Sequence, residues 1–271
     1  MNRPEHPGQL IPIPDTQSAR DERHLAIDQV GIRGLRYPLA FCAADGIVQS
    51  TIATANVYVA LPEDRKGTHM SRLVTLLDER ASAATSLSVG GLDALLRELV
   101  VRLDAPAGRI EFAFPFFVRK SAPVSGVASL VDYEVRLTGE LAHGRVTKTV
   151  TVAVPVTSLC PCSKEVAQYG AHNQRSTITI TVRTDASVDV HELIRLAEEE
   201  ASSELYGVLK RADEKYVTER AYDNPRFVED LVRGVDTRLA ADSRFAAWCV
   251  EAENFESIHN HSAYARIARG M

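Results

Sequence analysis

The feature that most restricts the fold is a period-two alternation of apolar and polar residues, sustained over long segments and interrupted twice by helical periodicity. VGIRGLRYPLAF (30–41) and IVQSTIATANVYVALP (47–62) alternate in this way on either side of a turn-like ADG. Alternation sends successive side chains to opposite faces, so the pair reads as a long antiparallel hairpin with one face covered. From Thr68 the period changes: THMSRLVTLLDERAS sets Met70, Leu73, Val74 and Leu77 on one helical face. GLDALLRELVVRLDAP repeats the pattern with Leu92, Leu95, Leu96, Leu99 and Val100 before Pro106 stops it. Strand periodicity returns in RIEFAFPFFVRKSAP, SLVDYEVRLTGELAHG, RVTKTVTVAVPV and STITITVRTDA. VDVHELIRLAEEEASSELYGVL and NPRFVEDLVRGVDTRLAAD are again amphipathic helices, with Asp189 and Asn224 as caps and Pro225 at a first helical position. RFAAWCVEAENFESIHNHSAYARIAR closes the chain with a strand and a histidine-bearing tail. This order predicts an α+β protein of two similar halves, 24–107 and 108–271, meeting near residue 108. Residues 1–23, rich in Pro, Gln, Asp and Arg without apolar periodicity, read as a loosely held arm.

A formal net charge of -5 gives no global attraction to nucleic acid or to an anionic membrane. No segment approaches the ~20 consecutive apolar residues that span a bilayer, and MNRPEHPGQL lacks an apolar signal stretch. The expectation is a cytoplasmic protein with no nucleic-acid or membrane partner. In a reducing compartment the four cysteines, Cys42, Cys160, Cys162 and Cys249, read as ligands or nucleophiles rather than disulfides. Neither a Walker loop nor a GxGxxG follows any predicted strand, which removes support for the common ATPase and nicotinamide-enzyme readings.

Three segments carry chemistry. SLCPCSKEVAQYGAHNQRS (158–176) connects two strands, is too polar for core, and holds Cys160, Cys162 and His172. Thiolate and neutral imidazole are ligands for a borderline metal, yet CxC with one distant His fits a surface loop with incidental thiols equally well. ENFESIHNHSAYA crowds Glu253, Glu256, His259 and His261 together, either as a general acid/base group or as a solvated tail. RKGTHMSR leads into a helix start, where Lys66, His69 and Arg72 add charge for a phosphate or simply form a solvated basic turn. Glu214 and Glu229 are single acidic residues on helices, each by itself a member of a solvated face.

Taken together and in this order, the three motifs resemble GTP cyclohydrolase IB, the prokaryotic type of GTP cyclohydrolase I, through nearly the whole chain after the arm. The resemblance implies a tandem tunnelling fold, antiparallel sheets with paired helices on one side, assembled into a multi-subunit barrel. It implies a homotetramer with active sites between subunits. The implied reaction converts GTP to 7,8-dihydroneopterin triphosphate and formate, feeding tetrahydrofolate synthesis. It also implies roles: Cys160, His172 and Glu214 as ligands of a divalent metal (zinc, manganese or iron), with Cys160 also catalytic. Glu229 becomes the guanine anchor, and Glu256, His259 and His261 the proton-transfer groups. Lys66, His69 and Arg72 are assigned to the triphosphate on chemistry alone, and Cys162 has no role beyond a supporting or structural thiol. Two competitors share the fold: the nitrile reductase of queuosine synthesis, which needs a free nucleophilic thiolate, and a non-catalytic pterin- or purine-binding protein.

Overall fold

The alternating segments pair into one antiparallel sheet, and the two helical interruptions cover one of its faces. The computed structural model describes residues 15–83, 85–184 and 188–271. In chain order the elements are β1 (Ile27–Cys42), β2 (Val48–Leu61), α1 (Met70–Ser82), α2 (Leu92–Leu103), β3 (Gly108–Ser121), β4 (Ala128–Ala142), β5 (Arg145–Leu159), α3 (Pro161–Val166), β6 (Asn173–Thr184), α4 (Val190–Glu200), β7 (Ser203–Glu204), α5 (Arg211–Asp223), α6 (Val228–Ala240), β8 (Ala247–Asn254) and β9 (Ala263–Arg269). The strands lie in the order β1-β2-β3-β4-β5-β6-β8-β9, with β7 paired to β5. Two strands, a helical layer and two strands thus occur twice. The repeat closes at the β4–β5 turn, where Ala142 pairs with Arg145, and not near residue 108. β3 is bonded to β2 from Thr54–Ala113 to Val59–Gly108, so it completes the first unit.

Alternation decides which face is dry. Val150, Val152, Val154 and Val156 of β5 and Ile178, Ile180 and Val182 of β6 are all fully buried beneath the helices. They join Leu73, Leu76, Leu92, Leu96 and Leu99 from α1 and α2, and Leu193, Leu231 and Val235 from α4 and α6, in one continuous core. α2 lies flat on β4 because Gly139 has no side chain: a Cβ there would stand 2.7 Å from Leu96 Cδ1. The opposite face is a groove of Thr149, Thr151, Thr179, Thr181, Arg109, Glu111, Arg136 and Glu140. Arg109 pairs across to Glu140 and Arg136 across to Glu111, while Arg109 also reaches Glu111 two residues along its own strand.

Several boundaries depart from the sequence pattern for identifiable reasons. Helical periodicity runs to Leu209, but α4 ends at Glu200. Ser203 and Glu204 pair with Thr157 and Val156 of β5 instead. Lys120, almost buried, is held by Glu198 at 2.7 Å and by Glu204, and Tyr133 donates to Glu198 at 2.7 Å. A buried ammonium needs both carboxylates, and the chain must leave the helix to deliver the second. Asp189 caps α4 as expected, accepting from His191 N at 3.0 Å. Asn224 does not start α6: it follows the end of α5 and donates its amide to the carbonyls of Ala201 and Ser202, at 2.8 and 3.5 Å. α6 begins at Val228, where Asp230 accepts from Phe227 N at 2.9 Å. The described part of the arm is docked, with Lys66 N donating to Ala19 O at 3.0 Å and Gly67 N to Gln17 O at 3.1 Å; residues 1–14 lie outside the described set. The histidine-bearing tail returns as β9 on β8.

Asp236 of α6 latches this last hairpin, accepting from Trp248 Nε1 at 2.9 Å and from Arg269 Nη2 at 3.1 Å. The Arg269 guanidinium, opposed by partial burial and helped by Trp248, holds the Asp236 carboxyl below its usual range. A depressed carboxylate stabilises the fold above its unfolded pKa, near 4, and that contribution is lost as pH falls through the folded value. Asp236→Asn is therefore expected to cost about 1–2 kcal/mol in urea unfolding at pH 7. The gap to the wild-type protein should close as pH drops below about 4.

Candidate active site

Strand register decides which loops can share a pocket. Ile27 pairs with Leu61, Val59 with Gly108, Gly108 with Leu141, and Lys148 with Thr184. The end of β2 and the starts of β3 and β5 therefore lie along one rim. Leu159 pairs with Asn173, Ser176 with Asn254, and Asn254 with Ala263. The 160–172 connection and the 255–262 segment consequently emerge together on the opposite rim.

The 160–172 connection is a built loop. Cys160 N donates to His172 O at 3.1 Å, closing its base. Cys160 is the N-cap of α3, Pro161 takes a first-turn position where no N–H is needed, and Ser163 N approaches Cys160 Sγ at 3.5 Å. Ser163 joins the two candidate ligands: its hydroxyl donates to Cys160 O at 3.0 Å and accepts from His172 N at 3.1 Å. His172 Nδ1 contacts Gln174 Oε1 at 2.8 Å and Ser257 Oγ at 3.3 Å. Phe255 N donates to Arg175 O at 3.0 Å, so the segment carrying Glu256, His259 and His261 is tied to the strand that follows His172. The rings of His259 and His261 stack, 5.1 Å apart and 18° from parallel, in an exposed position, and Glu256 is half-buried.

The helices reach the same rim from the other side. Arg226 N donates to Leu159 O at 3.0 Å, which seats the start of α6, with Glu229 exposed in its first turn, beside the cysteine loop. Lys164 of α3 donates to Tyr222 O near the end of α5 and lies over the Tyr222 ring at 4.2 Å. At the other end of α5, Asp213 is wholly buried and accepts from Val124 N and Ser125 N at 2.8 Å, Ser125 Oγ at 2.6 Å and Lys210 N at 2.8 Å. Burial would raise its carboxyl, but these donors, Ser125 foremost, hold it well below the ordinary range. The neighbouring Glu214 is exposed in the first turn.

The structure thus gathers Cys160, His172, Glu229 and the 255–262 segment on one rim. Glu214 is on that rim but apart: among the described residues no three His, Cys, Asp or Glu side chains form a metal-binding cluster. Lys66, His69 and Arg72 follow β2 and stand on the opposite rim, a strand length or roughly 40 Å away. His69 Nε2 is engaged there by Asp15 Oδ2 at 3.3 Å and Ser18 Oγ at 3.4 Å. Cys162 is exposed on α3. Sequence reasoning missed Ser163, Gln174, Asp213 and Arg226, whose Nε is buried without a hydrogen-bond partner. Only the position of Gln174 and Ser163 inside a polar motif could have flagged them.

Comparison with known proteins decides the family. A model of "Type I GTP cyclohydrolase folE2" matches residues 13–265. The chain belongs to that family. It is 58% identical over 257 residues to "GTP cyclohydrolase FolE2" of Burkholderia pseudomallei (strain 1710b), covering 95% of this chain and 96% of that protein. It is 54% identical over 255 residues to "GTP cyclohydrolase FolE2 2" of Dechloromonas aromatica (strain RCB), covering 94% and 93%. The fold is similar to that of uricase from Arthrobacter globiformis, with a TM-score of 0.51 at 9% identity over 89% of this chain and 93% of that one. That likeness supports the α+β tunnelling-type architecture of the FolE2 family member and nothing about its chemistry.

Ser163 supplies a test of the loop. Ser163→Ala leaves His172 N–H and Cys160 C=O without their side-chain partner, at a cost of about 1 kcal/mol. Hydrogen exchange by mass spectrometry should show residues 160–172 exchanging several-fold faster, with β5 and β6 unchanged.

Proposed function

We propose that this chain performs the GTP cyclohydrolase I reaction at the rim formed by the 160–172 loop, the start of α6 and the 255–262 segment. GTP and water give 7,8-dihydroneopterin triphosphate and formate, the first step of tetrahydrofolate biosynthesis. Membership in the FolE2 family supports the reaction. The observation that carries the location is the hydrogen bond from Cys160 N to His172 O, because it brings a thiol and an imidazole to the edge of a strand pair beside two further carboxylate- and histidine-bearing segments.

The donor chemistry fits a divalent metal. His172 commits Nδ1 to neighbours and leaves Nε2 to bind, and Cys160 offers sulfur from the adjacent loop base. Zinc, manganese and iron all accept this mixture with a carboxylate, for which Glu214 is the proposed third ligand. Such an ion, when bound, lowers the pKa of its water towards about 7 and so supplies a nucleophile at neutral pH. Glu229 accepts hydrogen bonds from guanine N1–H and the exocyclic amine, a pattern adenine does not present. Glu256, His259 and His261 hold and move protons as the imidazole ring of the substrate opens. Arg226, whose backbone N–H is bonded to Leu159 O and whose Nε has no hydrogen-bond partner, supplies a counter-charge for the anionic substrate.

Assembly of several chains, a homotetramer in this reading, completes the pocket. Three features support it: among the described residues β1 and β9 end the sheet without a further strand and one sheet face has no covering layer, and Lys66, His69 and Arg72, on the opposite rim, would reach this site from a second copy. No helix among the described residues is long and apolar enough to cross a membrane, and the proposed compartment is the cytoplasm.

Cys160→Ala is expected to abolish formate release from GTP and to lower bound metal, with far-ultraviolet circular dichroism unchanged; wild-type turnover in that variant would overturn the assignment. Glu229→Gln replaces an acceptor with a donor and loses one charge-assisted bond, about 1.5–3 kcal/mol, alongside a new donor–donor clash. Its kcat/KM for GTP should fall on the order of a hundredfold, at about 1.4 kcal/mol per tenfold, while metal content stays at the wild-type level.

A further inference from the structure

Gln174 is 7% exposed, in a strand where glutamine has no packing reason to be. A buried primary amide is tolerated only when both ends are hydrogen-bonded. Its Oε1 lies 2.8 Å from His172 Nδ1, and its Nε2 donates to Ser158 Oγ at 3.2 Å. Ser158 is fully buried and shares a 2.7 Å hydrogen bond with Ser176 Oγ, itself 1% exposed. Ser158 sits directly across the β5–β6 ladder from Gln174, and Ser176 follows two residues along the same face. The result is a buried file of polar groups, Ser176, Ser158 and Gln174, running from inside the sheet to the half-buried His172, the candidate metal ligand.

The polarity of that file has a chemical consequence. An amide oxygen can only accept, so His172 must place its proton on Nδ1 to satisfy it. The other nitrogen, Nε2, then carries the lone pair. Turned over, the amide would present N–H to Nδ1, move the imidazole proton to Nε2 and remove the donor a metal requires. Ser163 and Cys160 fix where the backbone of His172 lies, but neither touches its ring nitrogens. Ser257 reaches Nδ1 only at 3.3 Å from an exposed segment.

We infer that Gln174 is the positioning residue that holds His172 in the Nδ1–H tautomer and so presents Nε2 as a metal ligand; this rests on the metal reading of the site. The Gln174 side chain contacts His172 and Ser158, so its part is played through the imidazole.

The test uses the full-length enzyme stripped of metal. With histidine labelled in nitrogen-15 and the His172 signals assigned by their loss in His172→Ala, long-range proton–nitrogen spectra of the wild-type protein should report Nδ1 protonated and Nε2 bare. The Nε2–H tautomer in that spectrum would overturn the inference without any need for a variant at 174. Gln174→Met keeps the length and removes the acceptor, and should weaken Zn²⁺ or Mn²⁺ affinity, measured against a competing chelator, by roughly 10- to 100-fold. Gln174→Glu restores an acceptor and should return affinity to within a few-fold of wild type, with Nδ1–H again dominant. Wild-type metal affinity in Gln174→Met would also sink the proposal, because a merely structural glutamine predicts lost stability and an unchanged ligand. His172→Ala separates the two levels: if it binds metal as tightly as wild type, the metal site itself is misplaced, whereas metal loss there with none in Gln174→Met faults only the role of Gln174.

Discussion

The register between β5 and β6 is the constraint on which the site depends. From Lys148–Thr184 to Leu159–Asn173 the two strands pair without interruption, with alternate residues from Val150 to Val156 and from Ile178 to Val182 on the covered face and Thr149, Thr151, Thr177, Thr179 and Thr181 on the other. A shift of one residue would turn Val150, Val152, Val154 and Val156 out of the core and set threonines against the helices. It would also turn Ser158, Gln174 and Ser176 away from their buried file and draw Cys160 off the carbonyl of His172. The burial of seven aliphatic side chains on these two strands, at about 1.5–3 kcal/mol each, is what makes that shift inaccessible. Loop chemistry is therefore held by core packing some distance below it.

A second consequence of the sheet is directional. Long strands separate the two rims, and each loop is committed to one of them by the parity of its connections. The cysteine loop, the histidine segment and the starts of α5 and α6 share one rim; the basic turn before α1 is on the other. Both open edges and the uncovered threonine- and arginine-rich face leave strand hydrogen-bonding groups and paired charges facing outward. The association of copies proposed above would use these surfaces.

Buried polar groups specify the joints between the layers. Lys120 with Glu198 and Glu204 joins β3, α4 and β7; Asp213 joins the 124–125 turn to α5; Asn224 joins α5 to the residues after α4. Each arrangement is nearly saturated with partners, which is the condition for burying such groups at all. The same logic acts around His172, where the amide of Gln174 is engaged at both ends, by one imidazole and one hydroxyl.

Much was legible in the sequence because it depends on neighbours in the chain. Periodicity gave the long strands and the amphipathic helices, Asp189 announced its cap, and the polar segments holding Cys160, Cys162, His172, Glu256, His259 and His261 are ones the fold brings to a single rim. What required the tertiary structure depends on residues far apart in sequence. α4 stops at Glu200 because Lys120 and β5 claim the residues that follow, and Asn224 caps across to Ala201 rather than starting a helix. The repeat divides after β4 because β3 pairs back onto β2. Lys66, His69 and Arg72 look like partners of the cysteine loop in a linear motif map, yet strand direction sends them to the opposite rim. Local pattern determines which way a side chain faces within its own element; only long-range hydrogen bonding decides which elements face one another.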